Sequence, residues 1–344
     1  MIDSLGLDFV WRGGVGGIFA EPPTLLLLLL AALLLDGLLP DMPWLRRVVP
    51  NPRMVIRRLV RFFDRRLNRT RRSARARLVR GLLVTMVMVG LAVLVGWLVG
   101  WAARRFAYGW LLELALLVAL LGVRATGERM RAVARGVDVG GTETGRAALR
   151  PVVGPEVDHL DGHGIARGAI EHGARGFAKA VLGPALWYVL LGITGALIYV
   201  TVETMDRVIG YHSPRHAAFG LVAARFDDAL SYVPARLAAL LLCLAAAFAP
   251  TAHPAGALRL MVRDSGRHAS PNAGWPVAAL AGGLDLALGG PRRRQGRAAP
   301  APWIGDGRAR ATARDVRRAI YVYAVACLIL ATLVALLAIT LGAV

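Results

Sequence analysis

Between residues 206 and 236 the chain places Asp206, Asp227 and Asp228 among arginines that include Arg225 and Arg236. Hard oxygen ligands suit Mg²⁺ and guanidinium groups suit phosphate, so the three aspartates are candidate Mg²⁺ ligands and the arginines candidate phosphate contacts. A second group runs Arg263-Asp264, His268, then Ser270-Pro271-Asn272-Ala273-Gly274-Trp275-Pro276, a turn with available backbone N–H groups and a carboxamide beside an ion pair and a histidine. Ser270, His268 and Asp264 have the residue types of a hydrolytic triad. Three residues so close on one loop rarely reach that geometry and there is no nucleophile elbow, so hydrolysis is set aside. The third group is Arg167 and Glu171, which share a helix face at i, i+4. A surface ion pair is its simpler reading. His159 and His163, beside Asp158 and Asp161, lack further ligands and read as loop.

The elements that must position these groups are apolar helices. Spanning roughly 30 Å of hydrocarbon takes about 20 apolar residues, and six stretches qualify or come close: 23–39, 81–103, 108–123, 181–202, 230–250 and 320–343. The expected fold is an all-α, polytopic integral membrane protein of one domain, 1–344. The stretch 181–202 is expected to cross, with the Gly192-Ile193-Thr194-Gly195 interruption offering a re-entrant hairpin as the alternative. Basic residues number 14 in 40–80, 9 in 124–180 and 12 in 251–319, against 3 in 203–229. Six crossings then place the three basic loops in the cytoplasm and both termini outside.

Composition points the same way. A chain of 344 residues that is 56% hydrophobic yet has a net charge of +20 is neither disordered nor an ordinary soluble enzyme. Only Lys179 among the 42 basic residues is a lysine, which fits arginine-rich codon usage, and nucleic-acid binding is discounted. Cys243 and Cys327 sit in apolar runs with no partner motif and read as small apolar residues. The first apolar run lacks a basic leader and cleavage site and is expected to stay in the mature protein. Arginines 57, 58, 61, 65 and 66, interleaved with Leu59, Val60, Phe62 and Phe63, suit either an amphipathic helix on an anionic leaflet or a solvated helix between spans. No GxxxxGK[ST] phosphate loop occurs.

The order of the clusters resembles the membrane-bound adenosylcobinamide-phosphate synthase family of cobalamin biosynthesis. The strings that carry the resemblance are Arg167-Gly-Ala-Ile-Glu171, Pro184-Ala-Leu-Trp187, Gly192-Ile-Thr-Gly195-Ala, Thr204-Met-Asp206, Phe219-Gly220, Ala224-Arg225-Phe-Asp227-Asp228, Pro234-Ala-Arg236 and Ser270-Pro-Asn-Ala-Gly274-Trp-Pro276. Weaker agreement runs from Asp36 through Asp41 and Pro52 and includes Arg124 and Arg146. The resemblance implies an enzyme of the bacterial inner membrane that joins aminopropanol, or its phosphate, to a carboxylate of cobyric acid as an amide, with ATP and Mg²⁺ as cofactors. It implies Asp206, Asp227 and Asp228 for the metal, Arg225 and Arg263 for phosphates, Asn272 and its turn for an amide or oxyanion contact, and Glu171 or His268 as base. Arg167, Arg236, Asp264, Ser270 and Gly274 complete the expected substrate site. Other late-pathway membrane proteins are implied as partners.

Several strings depart from the family, one of them strongly. Where the family has Ala-Glu-Asn-x-x-Asp-Gly, this chain reads Ala174-Arg175-Gly176-Phe177-Ala178-Lys179-Ala180, so two carboxylates become cations. Glu203 stands where the family has asparagine. Three readings follow: a working synthase with a remodelled site, a non-catalytic paralogue that binds corrinoid or assists a catalytic synthase, or a transporter or signalling protein on the same scaffold. The retained Ser270–Gly274 and Ala224–Asp228 strings speak against the last.

Overall fold

A computed structural model of the chain describes residues 22–38, 51–210, 215–294, 297–299 and 301–341. Asp41 and the first part of the loop 40–80 lie outside the described residues. The chain divides into two compact units. Unit one comprises residues up to Leu121, Gly183–Leu230 and Leu333 onward; unit two comprises Gly122–Leu182 and Ser231–Thr332.

In unit one, α1 (Pro22–Leu38) is an apolar helix, followed by the arginine-rich α2 (Pro52–Leu67), α3 (Ala74–Arg105) and the short α4 (Gly109–Leu120). Ser73 caps α3, its side chain accepting from the Ala76 N–H, and Arg104 and Arg105 occupy the last turn, where cations complement the helix dipole. A stripe of mostly small residues on α3, Gly81, Thr85, Ala92, Gly96 and Gly100, is buried, while Leu94, Trp97, Leu98 and Trp101 point outward. Small residues let apolar helices approach closely, which is how membrane helices pack without a hydrophobic drive between them. At Gly96 an added Cβ would lie 2.6 Å from the Cα of Thr194.

Thr194 belongs to α8 (Gly183–Ile209), and this helix does not run straight. Leu191 and Gly192 leave helical geometry, Gly192 with φ 62°, a left-handed value that favours glycine. An added Cβ on Gly195 would strike the Trp187 carbonyl, and one on Gly183 would strike the Tyr199 ring. Residues eight apart in a straight α-helix are separated by about 12 Å along the axis. The two limbs of α8 therefore fold back on each other about Leu191–Gly192. The glycines of the 181–202 stretch supply the turn and the close approach of the limbs. The chain then runs through a turn at Arg215–Phe219 to α9 (Leu221–Leu230).

Unit two holds α5 (Val123–Val139), α6 (Gly141–Val153) and α7 (Gly162–Gly176), the last capped by Asp161, whose carboxylate accepts from the Gly164 N–H at 2.7 Å. A π-helical turn, Phe177–Leu182, follows. Then come α10 (Tyr232–Ala247), α11 (Pro254–Asp264) and α12 (Gly274–Leu284). The loop expected at 251–319 thus contains an apolar helix, α12, with every residue but Trp275 buried. Beyond it lie two small antiparallel ribbons: β1 (Leu288–Gly289) pairs with β4 (Trp303–Ile304), and β2 (Arg292–Arg294) pairs with β3 (Arg297–Ala299). At the start of the last helix, α13 (Ala313–Thr340), Asp315 accepts from the Thr312 N–H and hydroxyl, both at 2.9 Å, satisfying one of the free N–H groups of the helix start.

The protein is an all-α polytopic membrane protein. Among the described residues four helical stretches, Ala74–Arg105, Gly109–Val139, Gly162–Ile209 and Ala313–Thr340, are long and apolar enough to cross a bilayer. A fifth joins if α9 and α10, bent by 46°, count as one. The first apolar helix falls short of that length.

Candidate functional site

The Ser270–Gly274 turn meets α10 through Arg236. The Arg236 Nη1 donates to Asn272 Oδ1 at 2.7 Å and to the Tyr232 carbonyl at 2.9 Å. Its guanidinium carbon lies 3.5 Å from the centre of the Tyr232 ring and 4.8 Å from that of Trp275. Two strings 36 residues apart are thereby joined around one planar cation. Asn272 is buried; Ser270 Oγ accepts from the Ala273 N–H at 3.3 Å, and His268 Nδ1 accepts from the Ser270 N–H at 2.9 Å. Ser270 and His268 therefore shape the turn through backbone contacts, with the serine hydroxyl turned to Ala273 rather than to the imidazole. Gly274 has a packing reason, since any Cβ there would strike the Ser265 carbonyl.

Arg263, expected to face phosphate, is occupied. It grips Asp264 with two parallel bonds of 2.7 and 2.8 Å and Asp306 with two more of 2.5 and 2.7 Å, using most of its donors. Asp264 is fully buried and also accepts from the Gly305 N–H at 2.9 Å. The Arg263 guanidinium holds both the Asp264 and Asp306 carboxyls below the usual carboxylate range. This is a clamp between the end of α11 and the start of the segment after β4.

Arg167 and Glu171 also grip the 285–309 segment. Glu171, buried on α7, accepts from the Gly289 N–H at 2.9 Å, and Arg167 donates to the Ala309 carbonyl at 2.5 Å with its guanidinium 5.2 Å from the Trp303 ring centre. Their shared helix face, read from the i, i+4 spacing, thus serves a chain segment more than a hundred residues away. Asp158 pairs with Arg150 and Asp161 caps α7; the region expected as loop is instead helical, His159 closing a 3-10 turn and His163 lying in α7 with its Nδ1 2.9 Å from the Ala311 carbonyl.

The aspartates of unit one sit beside a buried ion triad. Glu203, fully buried on α8, accepts from Arg53 at 2.9 Å and from Arg207, and Arg53 also donates to the Leu120 carbonyl at 2.9 Å. Burial pulls the Arg53 guanidinium below its ordinary value, and Glu203 opposes that. Asp206 lies on the following turn of α8; Asp227, buried on α9, feels Arg207, and Arg225 is exposed. Among the described residues no three histidine, cysteine, aspartate or glutamate side chains come together as a metal-binding group. Asp206 and the pair Asp227 and Asp228 lie on α8 and α9, which pack together, and Mg²⁺ usually takes one or two protein carboxylates together with substrate phosphates rather than an all-protein cage.

The altered string follows α7 into the π-turn. Arg175 Nε donates back to the Glu171 carbonyl at 3.3 Å, and Gly176 packs so tightly on α5 that an added Cβ would lie 2.9 Å from Thr126 Oγ1. Lys179 falls within Phe177–Leu182, where i→i+5 bonding rotates the chain less per residue than an α-helix does. It does not continue the row of Glu171 and Arg175 that uniform helical spacing predicts.

The sequence matches the CobD/Cbib protein family over residues 29–323. The chain belongs to the CobD/Cbib family. A relative from Sinorhizobium sp, named cobalamin biosynthesis protein CobD, is 39% identical over 90% of this chain and 96% of its own length. Proteins of the same name from Sinorhizobium fredii and Klebsiella pneumoniae are 36% and 34% identical over 89% and 84% of the chain, and over 94% and 90% of their own lengths. No solved structure matches.

Within this CobD/Cbib chain the sequence left several partners unmarked. Trp275 stood in a recognisable string but with no indication that it would stack on Arg236, and neither Tyr232 nor Asp306 was marked as a partner. Glu203 with Arg207 had the i, i+4 spacing of an ion pair, which could have been read. Arg53, 150 positions away, could not.

Proposed function

We propose that the chain acts in cobalamin biosynthesis at the bacterial inner membrane as an amide-forming synthase. It would join the amine of aminopropanol, or of its phosphate, to a carboxylate of cobyric acid, releasing the elements of water to ATP hydrolysis. The family match across most of the chain carries this reading, together with curated relatives named as cobalamin biosynthesis proteins. ATP supplies the activation that a carboxylate needs as an acyl donor at neutral pH. The chain's own residues bind, orient and move a proton. Arg236 and Asn272 offer a cation and a buried carboxamide dipole to an anionic or amide oxygen, Arg225 offers an exposed guanidinium to phosphate, and Glu171 or His268 would take the proton of the incoming ammonium.

A second reading is favoured by Arg175 and Lys179, cations where the family has carboxylates: a non-catalytic paralogue that binds corrinoid or assists a catalytic synthase. One experiment separates the two. Purified protein in detergent is given cobyric acid, aminopropanol phosphate and Mg-ATP, and the amide product is followed by mass spectrometry. Product formation supports the synthase. Its absence, with corrinoid binding retained, supports the paralogue, and a deletion strain with an unchanged corrinoid profile and no second homologue would overturn both.

A further inference from the structure

We propose that α2 is a headgroup-binding helix that lies along the surface of an anionic leaflet, an assignment independent of the synthase reading. The helix buries Ile56 and Val60 and packs against α8, α3 and α4 of its own unit. At 100° per residue its outward side has two unequal sectors. One carries Arg57, Arg61 and Arg65, with Met54 among them and Arg58 beside them, all exposed. The other carries Val55, Leu59 and Phe62, exposed by 39%, 37% and 53%, with Arg66 among them. A solvated helix has no use for an apolar ridge on its wet side. A helix lying in the interface does, because that ridge enters the acyl boundary while the arginines meet phosphates.

Two further observations favour a phospholipid as the occupant. Arg58, Arg61, Phe62, Arg65 and Arg66 line an open cleft of about 410 Å³, with the Arg66 guanidinium 5.7 Å from the Phe62 ring centre. No ion pair among the described residues engages Arg58, Arg61 or Arg65, so their charge is available to an outside anion. Six residues after α2 the chain enters α3, an apolar helix of spanning length, which tethers the cleft beside the bilayer. The apolar ridge and that tether favour a lipid phosphate over nucleic acid or free phosphate.

The full chain, purified in a non-ionic detergent, would be titrated with phosphatidylglycerol or phosphatidylcholine in mixed micelles, with bound lipid counted by native mass spectrometry. Phosphatidylglycerol should bind more tightly. Each arginine near an anionic surface is worth roughly fivefold in affinity, so Arg58→Gln, Arg61→Gln and Arg65→Gln together should weaken it by about tenfold or more. Equal affinity for both lipids, no loss in the triple variant, or displacement of phosphatidylglycerol by inorganic phosphate or an oligonucleotide at equal concentration would overturn the proposal. A spin label at Phe62→Cys, with Cys243 and Cys327 replaced by alanine, keeps the test open if the triple variant misfolds. In phosphatidylglycerol vesicles that label should report headgroup or acyl depth, and a fully aqueous label would overturn the proposal.

Discussion

Arg236 reaches Asn272 at 2.7 Å while lying 3.5 Å from the centre of the Tyr232 ring. The contact joins a helix and a turn whose strings are separately recognisable in sequence but whose meeting is not. It also fixes the Asn272 oxygen as an acceptor toward protein.

Breaking that contact should lower amide formation without unfolding the protein. A hydrogen bond to a charged group contributes about 1.5–3 kcal/mol, so Asn272→Ala should slow the reaction by roughly 10–100-fold if the full amount is lost in the transition state. Arg236→Lys keeps the charge but not the planar stack and should fail to restore activity. Steady-state rates in detergent, with circular dichroism as the fold control, check both. Wild-type rates in Asn272→Ala would remove the turn from the site.

The Arg263 clamp predicts an acid-labile stability term. Because Arg263 depresses the folded value of Asp264 below the roughly 3.9 of an unfolded aspartate, its contribution is complete above that value and is lost as pH falls through the folded one. Asp264→Asn should lower the melting temperature at pH 7 and flatten its dependence between about pH 5 and pH 2, the range bracketing the reference value. Parallel melting curves for the two proteins across that range would show that the clamp does not titrate with the fold.

What the sequence made legible was the apolar pattern and the strings, and what it hid was pairing at a distance. The spans at 81–103 and 320–343 could be read because a bilayer imposes length and composition on a helix locally. Asn272 could be singled out from its turn. Arg263, a guanidinium beside one aspartate in sequence, gives no sign that Asp306, 43 residues on, fills its other side. The hairpin in α8 was visible only as an alternative, since two glycines three residues apart permit a reversal without requiring one.

Glu203 should be a stability residue. It lies buried between Arg53 and the half-exposed Arg207, so Glu203→Ala leaves two guanidiniums facing each other and should cost about 3–5 kcal/mol. Arg207→Ala should cost less, because water already screens that partner. Unfolding monitored in detergent by a mild denaturant series would show the ranking, and a smaller loss for Glu203→Ala than for Arg207→Ala would contradict it.

The string 174–180 gives the sharpest test of catalytic competence, and the packing decides how it must be done. Cations within about 4–6 Å of a bound metal oppose it and favour an anion instead, so restoring acids with Arg175→Glu and Lys179→Asp should raise the rate of amide formation if the altered charge is what limits it. Adding Gly176→Asn, which would complete the family string there, should spoil the gain, because its Cβ would lie 2.9 Å from Thr126 Oγ1 and 2.5 Å from Thr126 Cγ2 on a helix held by tertiary packing. Thr126→Gly in the same background should relieve that collision. The expected order of rates is therefore the two-site variant above the unmodified protein, the three-site variant below the two-site variant, and recovery when Thr126 is removed. Arg175 bonds back to the carbonyl of Glu171 and Lys179 sits in a π-turn, so the two acids need not act as a pair. Measuring each single variant apportions the effect. Efficient turnover by the unmodified protein, with no gain from either acid, would show that the family's acidic string is dispensable for the chemistry and would end the case for a non-catalytic paralogue.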